Sequence, residues 1–165
     1  MKVFLVRHAI AHQRNRVRWP NDALRPLTSA GIQRFRRAAG GLAKWMPRSA
    51  RLLTSPFVRA RETAKLLAEA RGSKKPLECA ELAADRPISQ AFELLRAHKE
   101  KAVILVGHEP YLSGFLAIAL AGQGARAGID FKKGGAACIE FTARIEPGRA
   151  CLHWFMPPRV LRELR

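Results

Sequence analysis

Short apolar runs alternate along this chain with segments of helical period, and that alternation restricts the possible folds more than any other feature. Residues 2–6 and 102–106 read as buried strands, the second with four consecutive core-type residues, Val103, Ile104, Leu105 and Val106. Residues 52–54 form a further short strand and residues 76–79 a weak one. Helical stretches lie between them. One runs from Thr28 or Ser29 to about Trp45 and is ended by Pro47. A second covers residues 57–71 after the Ser55-Pro56 turn, a third residues 88–98, and a fourth runs from Pro110 to about Leu120. Residues 136–142 and 151–155 flank Glu146-Pro147-Gly148 and read as a hairpin. Strands alternating with helices and closed by a hairpin predict an α/β fold. The expected architecture is a three-layer sandwich whose central sheet is mostly parallel with an antiparallel edge.

The 165 residues suit a single domain over 1–165, and a hydrophobic content of 48% argues against disorder. No run approaches the roughly 20 apolar residues that span a bilayer. Too few apolar residues precede Arg7 for a secretory leader. The three cysteines, Cys79, Cys138 and Cys151, include no Cys-x-x-Cys pair. They argue against a disulfide framework and a structural zinc site, and suit a reducing cytoplasm, the expected location. Lys and Arg number 30 against 13 Asp and Glu, a formal charge of +17. Such a charge attracts nucleic acid, acidic lipid or phosphorylated substrates, and a compositional bias toward Arg explains it equally well. The Gly-rich stretch at 122–128 lacks a Lys-Ser/Thr ending and follows no strand, so it is not read as a P-loop.

In sheets of this kind the ligand site lies beyond the carboxyl ends of the strands. The first strand is followed by Arg7-His8, the second by Ser55-Pro56-Phe57-Val58-Arg59, and the 102–106 strand by Gly107-His108-Glu109-Pro110. Three strand ends thus deliver two Arg and two His toward one place. Guanidiniums match phosphoryl oxygens two at a time, one imidazole can act as a nucleophile, and a second can donate to a charged oxygen. His8 and His12 have the spacing of a helical metal pair, but the preceding strand and Arg7 argue against both helix and metal. His98, beside Lys99 and Lys101, and His153, in an edge strand, read as structural. Lys132-Lys133 divides evenly between a solvated turn and a pocket rim. Arg14, Arg16, Arg18 and Trp19 form either a solvated loop or a docking surface for acidic protein or phosphate-rich substrates.

Val6-Arg7-His8-Ala9, Ser55-Pro56-Phe57-Val58-Arg59-Ala60-Arg61-Glu62-Thr63 and Val106-Gly107-His108-Glu109-Pro110 resemble, in that order, the three motifs of the histidine phosphatase superfamily, the phosphoglycerate mutase-like fold. The short chain and Leu24-Arg25-Pro26-Leu27-Thr28 resemble its SixA-type branch, the protein phosphohistidine phosphatases. The resemblance implies that His8 is the nucleophile and becomes phosphorylated. It implies that Arg7 and Arg59 bind the phosphoryl oxygens, that His108 contacts the same oxygens, and that Arg25 binds substrate near the phosphate. It implies no metal and no cofactor.

The usual Arg-His-Gly of the family is Arg-His-Ala here, so the backbone after His8 should not need positive φ. Larger relatives place a carboxylic acid after the third strand; Glu81 and Asp85 lie in that region, and neither sits in an alignable motif. The implied activity is hydrolysis of a phosphoryl group through a phosphohistidine enzyme intermediate. A protein carrying phosphohistidine is the leading substrate and a small phosphomonoester the alternative. A reading of a different class is a basic polyanion- or nucleic-acid-binding module on the same fold. Trp19, Trp45 and Trp154 form no stacking series, so nucleic acid is not the expected partner. A monomer without a membrane partner is expected.

Overall fold

Val103, Ile104, Leu105 and Val106 are each at most 1% exposed, as a strand must be when it has neighbours on both edges and helices on both faces. The computed structural model describes residues 1–164 and places them in β1 (Lys2–Arg7), α1 (Ser29–Ala43), β2 (Arg51–Thr54), α2 (Val58–Arg71), β3 (Leu77–Glu78), α3 (Ser89–Ala97), β4 (Ala102–Gly107), α4 (Tyr111–Ala121), β5 (Ala136–Phe141), β6 (Ala150–Met156) and α5 (Pro158–Glu163). The six strands form one sheet in the order β3-β2-β4-β1-β5-β6. The first four are mutually parallel, and β5 and β6 add the antiparallel edge.

Alternate residues of each strand face opposite layers. Phe4, Val6, Leu52, Ile104, Val106 and Cys138 join a core with residues of α1, α2 and α5, among them Phe35, Leu67 and Leu161. Val3, Leu5, Leu53, Leu105 and Ile139 join a second core with Phe92, Leu95, Leu112 and Phe115 of α3 and α4. Each fully buried large side chain contributes about 1.5–3 kcal/mol, and the two faces together fix the strand register.

That register sets the level at which the chain leaves each strand. Arg7 pairs with Gly107 across β1 and β4, and Thr54 pairs with Val106 across β2 and β4. The His8 N–H then donates to Gly107 O at 3.0 Å and the Ser55 N–H to Val106 O at 3.0 Å. The residues beyond the three strands therefore emerge level with one another.

Several element ends differ from the sequence reading. Thr28 caps α1 through its Oγ1, which accepts from the Gly31 N–H at 2.9 Å, but the helix ends at Ala43 and 44–46 is a turn. β3 shrinks to two residues with exposed side chains, since only one edge of it is paired. β6 is longer than expected and carries a bulge: Cys138 pairs with Trp154 and Ile139 with Leu152, leaving His153 extra, its Nε2 at 2.9 Å from Glu140 Oε2. α5 has no counterpart in the sequence reading. At six residues it is too short for periodicity to register, and it is held by the fully buried Leu161 against α1. A Cβ on Gly41 would lie 2.2 Å from Leu161 O, so only glycine at that point of α1 admits α5 so closely.

Candidate active site

Arg7 and His8 leave β1, Ser55 leaves β2 and leads through Phe57 to Arg59 in the first turn of α2, and His108 leaves β4. The structure brings all four predicted residues together. The His8 and His108 rings lie 5.2 Å apart between centroids, and the Phe57 ring packs 4.9 Å from His108 and 5.0 Å beneath the Arg59 guanidinium. His8, His108 and Arg59 are buried. No non-glycine residue has positive φ among the described residues, so Ala9 is accommodated as expected. Its N–H donates to Thr63 Oγ1 at 3.0 Å, and that hydroxyl donates to Arg59 O at 2.7 Å, tying the first motif to the second.

The tautomer of His8 follows from its neighbour. His8 Nδ1 lies 2.7 Å from Ala9 O, a group that can only accept, so Nδ1 carries the proton and Nε2 keeps a lone pair. Burial, opposed by the Ala9 hydrogen bond and reinforced by the charges of Arg59, Arg7 and Lys133, pushes the imidazolium pKa down to about 3. His108 is pushed down to about 2, by burial first and then by His8 and Arg59. Both rings are neutral at neutral pH.

His108 is oriented by Ser55, which is fully buried. Ser55 Oγ lies 2.8 Å from His108 Nε2 and accepts from the Phe57 N–H at 3.3 Å. When the hydroxyl spends its own proton on Nε2, His108 carries hydrogen on Nδ1. Three buried nitrogens at this place, Arg7 Nε, Arg59 Nε and His108 Nδ1, have no partner within the chain. Buried unsatisfied donors cost about 1–3 kcal/mol each, so three such nitrogens on the residues of one site suit an oxyanion as their partner. Ser55→Ala should keep the fold and lower kcat about tenfold, because His108 loses the group that selects its donor tautomer. A wild-type kcat in that variant would show that Ser55 does not orient the ring.

Sequence reasoning missed Asp22. This residue sits in a single 3-10 turn of the 8–28 loop and carries two of the predicted cations. Arg25 Nε donates to Asp22 Oδ1 at 2.8 Å, while Arg59 Nη2 lies 3.1 Å from Oδ2 and Arg59 Nη1 donates to Asp22 O at 2.8 Å. Arg25 also donates to His12 O at 2.6 Å. Arg25 is therefore placed beside Arg59, as expected, but through a shared carboxylate. The Arg25 hydrogen bond in turn holds the Asp22 carboxyl below its usual range. No motif marks this acid in the sequence; its only signal is a carboxylate in a loop otherwise rich in Arg.

Lys133 resolves toward the pocket rim: burial and the charges of Arg7, Arg25 and Arg59 lower its pKa. Its loop is fastened by Gly134, whose N–H is shared between Arg7 O and His8 O at 3.1 Å each and whose φ of 78° favours glycine. Glu81 and Asp85 are not among the charges that act most strongly on His8 or His108. His98, 3.0 Å from Glu100, lies outside the site, as does His153. The Arg14, Arg16 and Arg18 stretch is exposed, with Arg18 over Trp19 at 4.7 Å.

The depressed histidine pKa values have a consequence for stability. The unfolded chain takes up these two protons near pH 6.5, the native protein only near pH 3 and 2. Stability is therefore full above pH 6.5 and falls as pH drops below it, by up to about 1.4 kcal/mol per pH unit for each histidine. Thermal melts between pH 6.5 and 5, where ordinary carboxylates stay ionised, should show this decline, and a His8→Ala/His108→Ala double variant should flatten it. A wild-type Tm independent of pH across that interval would contradict it.

Comparison with known proteins identifies the family and the fold. A family model described as the histidine phosphatase superfamily, branch 1, matches residues 3–85, which include Arg7, His8 and the 55–63 segment but not His108. An uncharacterised protein of Picosynechococcus sp. is 33% identical over 150 residues, covering 85% of this chain and 89% of its own. The protein histidine phosphatase SixA complexed with tungstate superposes with a TM-score of 0.81 at 24% identity, over 98% of this chain and 99% of its own. A structure from Agrobacterium tumefaciens assigned to SixA gives 0.75 at 25% identity, over 95% and 97%. A mycobacterial glucosyl-3-phosphoglycerate phosphatase shares the fold at 15% identity with a TM-score of 0.69, over 94% of this chain and 99% of its own.

Proposed function

The chain belongs to the histidine phosphatase superfamily, branch 1, and acts as a hydrolase on phosphoryl groups; from that premise we propose that its substrate is a protein carrying phosphohistidine. The observation that carries this reading is that the carboxylate bonded to the predicted cations is held in a form that cannot give a proton. Asp22, the carboxylate joined to Arg59, is kept ionised by Arg25, and Glu81 and Asp85 are not among the charges acting most strongly on the paired histidines. An alkoxide leaving group needs a proton in the transition state. A phosphoimidazole leaves far more easily, so a site whose Arg59-bound carboxylate stays ionised suits a phosphoramidate better than a phosphomonoester.

In the proposed reaction His8 Nε2 attacks phosphorus, opposite the substrate P–N bond. That bond breaks, the substrate imidazole departs with its electron pair and takes a proton from water, and a new P–N bond joins phosphorus to His8. Water then attacks the phosphoryl group on His8, its released proton neutralises the hydroxide left by the first step, and the P–N bond breaks with its electrons returning to His8 Nε2 as inorganic phosphate departs. Arg7 and Arg59 hold the equatorial oxygens, and His108 Nδ1–H donates to an oxygen in flight. Arg25 acts through Asp22 to set Arg59. The two Arg and the neutral His108 supply the charge stabilisation that a metal gives elsewhere. A SixA structure of the same fold is complexed with tungstate, a tetrahedral oxyanion, which supports an oxyanion as the kind of ligand.

The test is a comparison of kcat/KM on a phosphohistidine peptide, p-nitrophenyl phosphate and a panel of sugar phosphates, in excess chelator. The phosphohistidine peptide should be favoured by about 10²-fold or more, an advantage of roughly 2.7 kcal/mol. A sugar phosphate turned over faster, or activity that returns only with added metal, would overturn the reading.

A further inference from the structure

We propose that an open basic groove beside the catalytic pocket receives an acidic stretch of the substrate protein, an inference that rests on the phosphoprotein reading above. The groove runs from Arg7 between α1, α5 and the 130–134 loop, with a volume of about 750 Å³. Six basic side chains line it against one carboxylate, Asp130, which is already paired with Lys132. Arg34 of α1 and Arg159 and Arg162 of α5 line it, and Pro157 and Pro158 supply apolar surface. Arg159 has a partner in Glu163, at 3.7 Å between exposed groups, a pair too weak to compete with a ligand.

Three observations make the occupant an acidic polypeptide. Arg7 and Lys133 line the groove and also act electrostatically on His8, so the groove begins beside the group being hydrolysed. The groove carries six basic side chains against one carboxylate, more positive charge than a lone phosphate already facing Arg7 and Arg59 requires. The groove pairs charge with apolar surface and has no aromatic ring exposed for stacking, since Phe35 is buried. That favours carboxylates on a peptide over the bases of a nucleic acid.

The experiment compares two phosphohistidine peptides, one with Glu and one with Gln flanking the modified residue. The enzymes are wild type, Arg34→Glu/Arg159→Glu, and a charge-matched control, Arg36→Glu/Arg149→Glu, whose exposed sites lie outside the groove. The groove variant should lose about tenfold or more in kcat/KM on the Glu-flanked peptide, and change by less than about twofold on the Gln-flanked peptide and on p-nitrophenyl phosphate. Equal losses on both peptides, or the same loss in the control, would overturn the proposal. Fluorescence anisotropy with the unphosphorylated Glu-rich peptide needs no turnover. Binding that the groove variant abolishes, from an enzyme that leaves both phosphopeptides intact, would keep the groove and refute the phosphohistidine reading. Hydrolysis of both phosphopeptides without selective binding would do the reverse. An oligonucleotide that displaces the Glu-rich peptide at lower concentration than the peptide's own would refute the acidic-protein assignment.

Discussion

His8→Ala abolishes turnover, with an expected loss of at least about 10⁴-fold, or about 5.5 kcal/mol of transition-state stabilisation. The expectation rests on the ring's fixed geometry. Nδ1 is committed to Ala9 O, the neutral form is enforced by burial, and Nε2 is the only lone pair the ring can offer. Alanine removes that lone pair, and the neighbouring His108 cannot replace it, because its Nε2 is engaged by Ser55. Wild-type enzyme quenched without acid should yield a phosphoenzyme stable in base and labile in acid, as a phosphoramidate is. His8→Ala should give neither label nor turnover. His108→Ala should turn over slowly while still accepting label on His8. Label on His108 or Ser55, or none in a fully active enzyme under conditions that accumulate it, would refute covalent catalysis by His8.

Arg59→Lys should cost on the order of 10²-fold in kcat/KM, about 2.7 kcal/mol, although the charge is conserved. Arg59 uses both terminal nitrogens on Asp22, leaves Nε buried without a partner, and has its guanidinium carbon 5.0 Å from the centre of the Phe57 ring. One ammonium cannot hold the Asp22 carboxylate and carbonyl while also presenting a donor to a phosphoryl oxygen. The far-ultraviolet circular dichroism should stay that of wild type, since the lost contacts belong to the pocket. Turnover within about twofold of wild type would mean that Arg59 supplies only a diffuse field, and its fork geometry would be irrelevant.

Three of the four central residues were legible because each is written at the end of a strand. A strand end places its next residue beyond the sheet, so Arg7, His8 and His108 could be aimed at a common point before any register was known. Arg59 was legible through its motif and the helix start after Ser55-Pro56. Arg25 was legible as a cation near the site, but its manner of acting was not. Its role depends on Asp22, which reaches Arg59 only because the 8–28 loop folds back. That loop is anchored by Ala11 pairing with Leu27 and by the Leu27 N–H donating to Glu62 Oε2 at 2.7 Å, contacts without local signal. Asp22 itself went unread in the sequence for the same reason. Lys133 stayed undecided until Gly134 was seen to bind its loop to Arg7 and His8.

The order of residues was enough for the layered α/β class, the positions of the principal strands and helices, and the chemistry delivered at three strand ends. These depend on side-chain period and on the residue that follows each apolar run, both local properties. Packing in three dimensions was needed to establish which strands are neighbours, and so which motif ends stand level. Packing also selected the protonated nitrogen of His8, the Ser55 hydrogen bond of His108, the bridge of Asp22 between two arginines, and the docking of α5 that creates the basic groove. The neighbouring strands, the Ser55–His108 bond, the Asp22–Arg59 pair and the seat of α5 all join residues far apart in the chain. Their hydrogen bonds and close contacts have energy only once both cores have packed and set the distance.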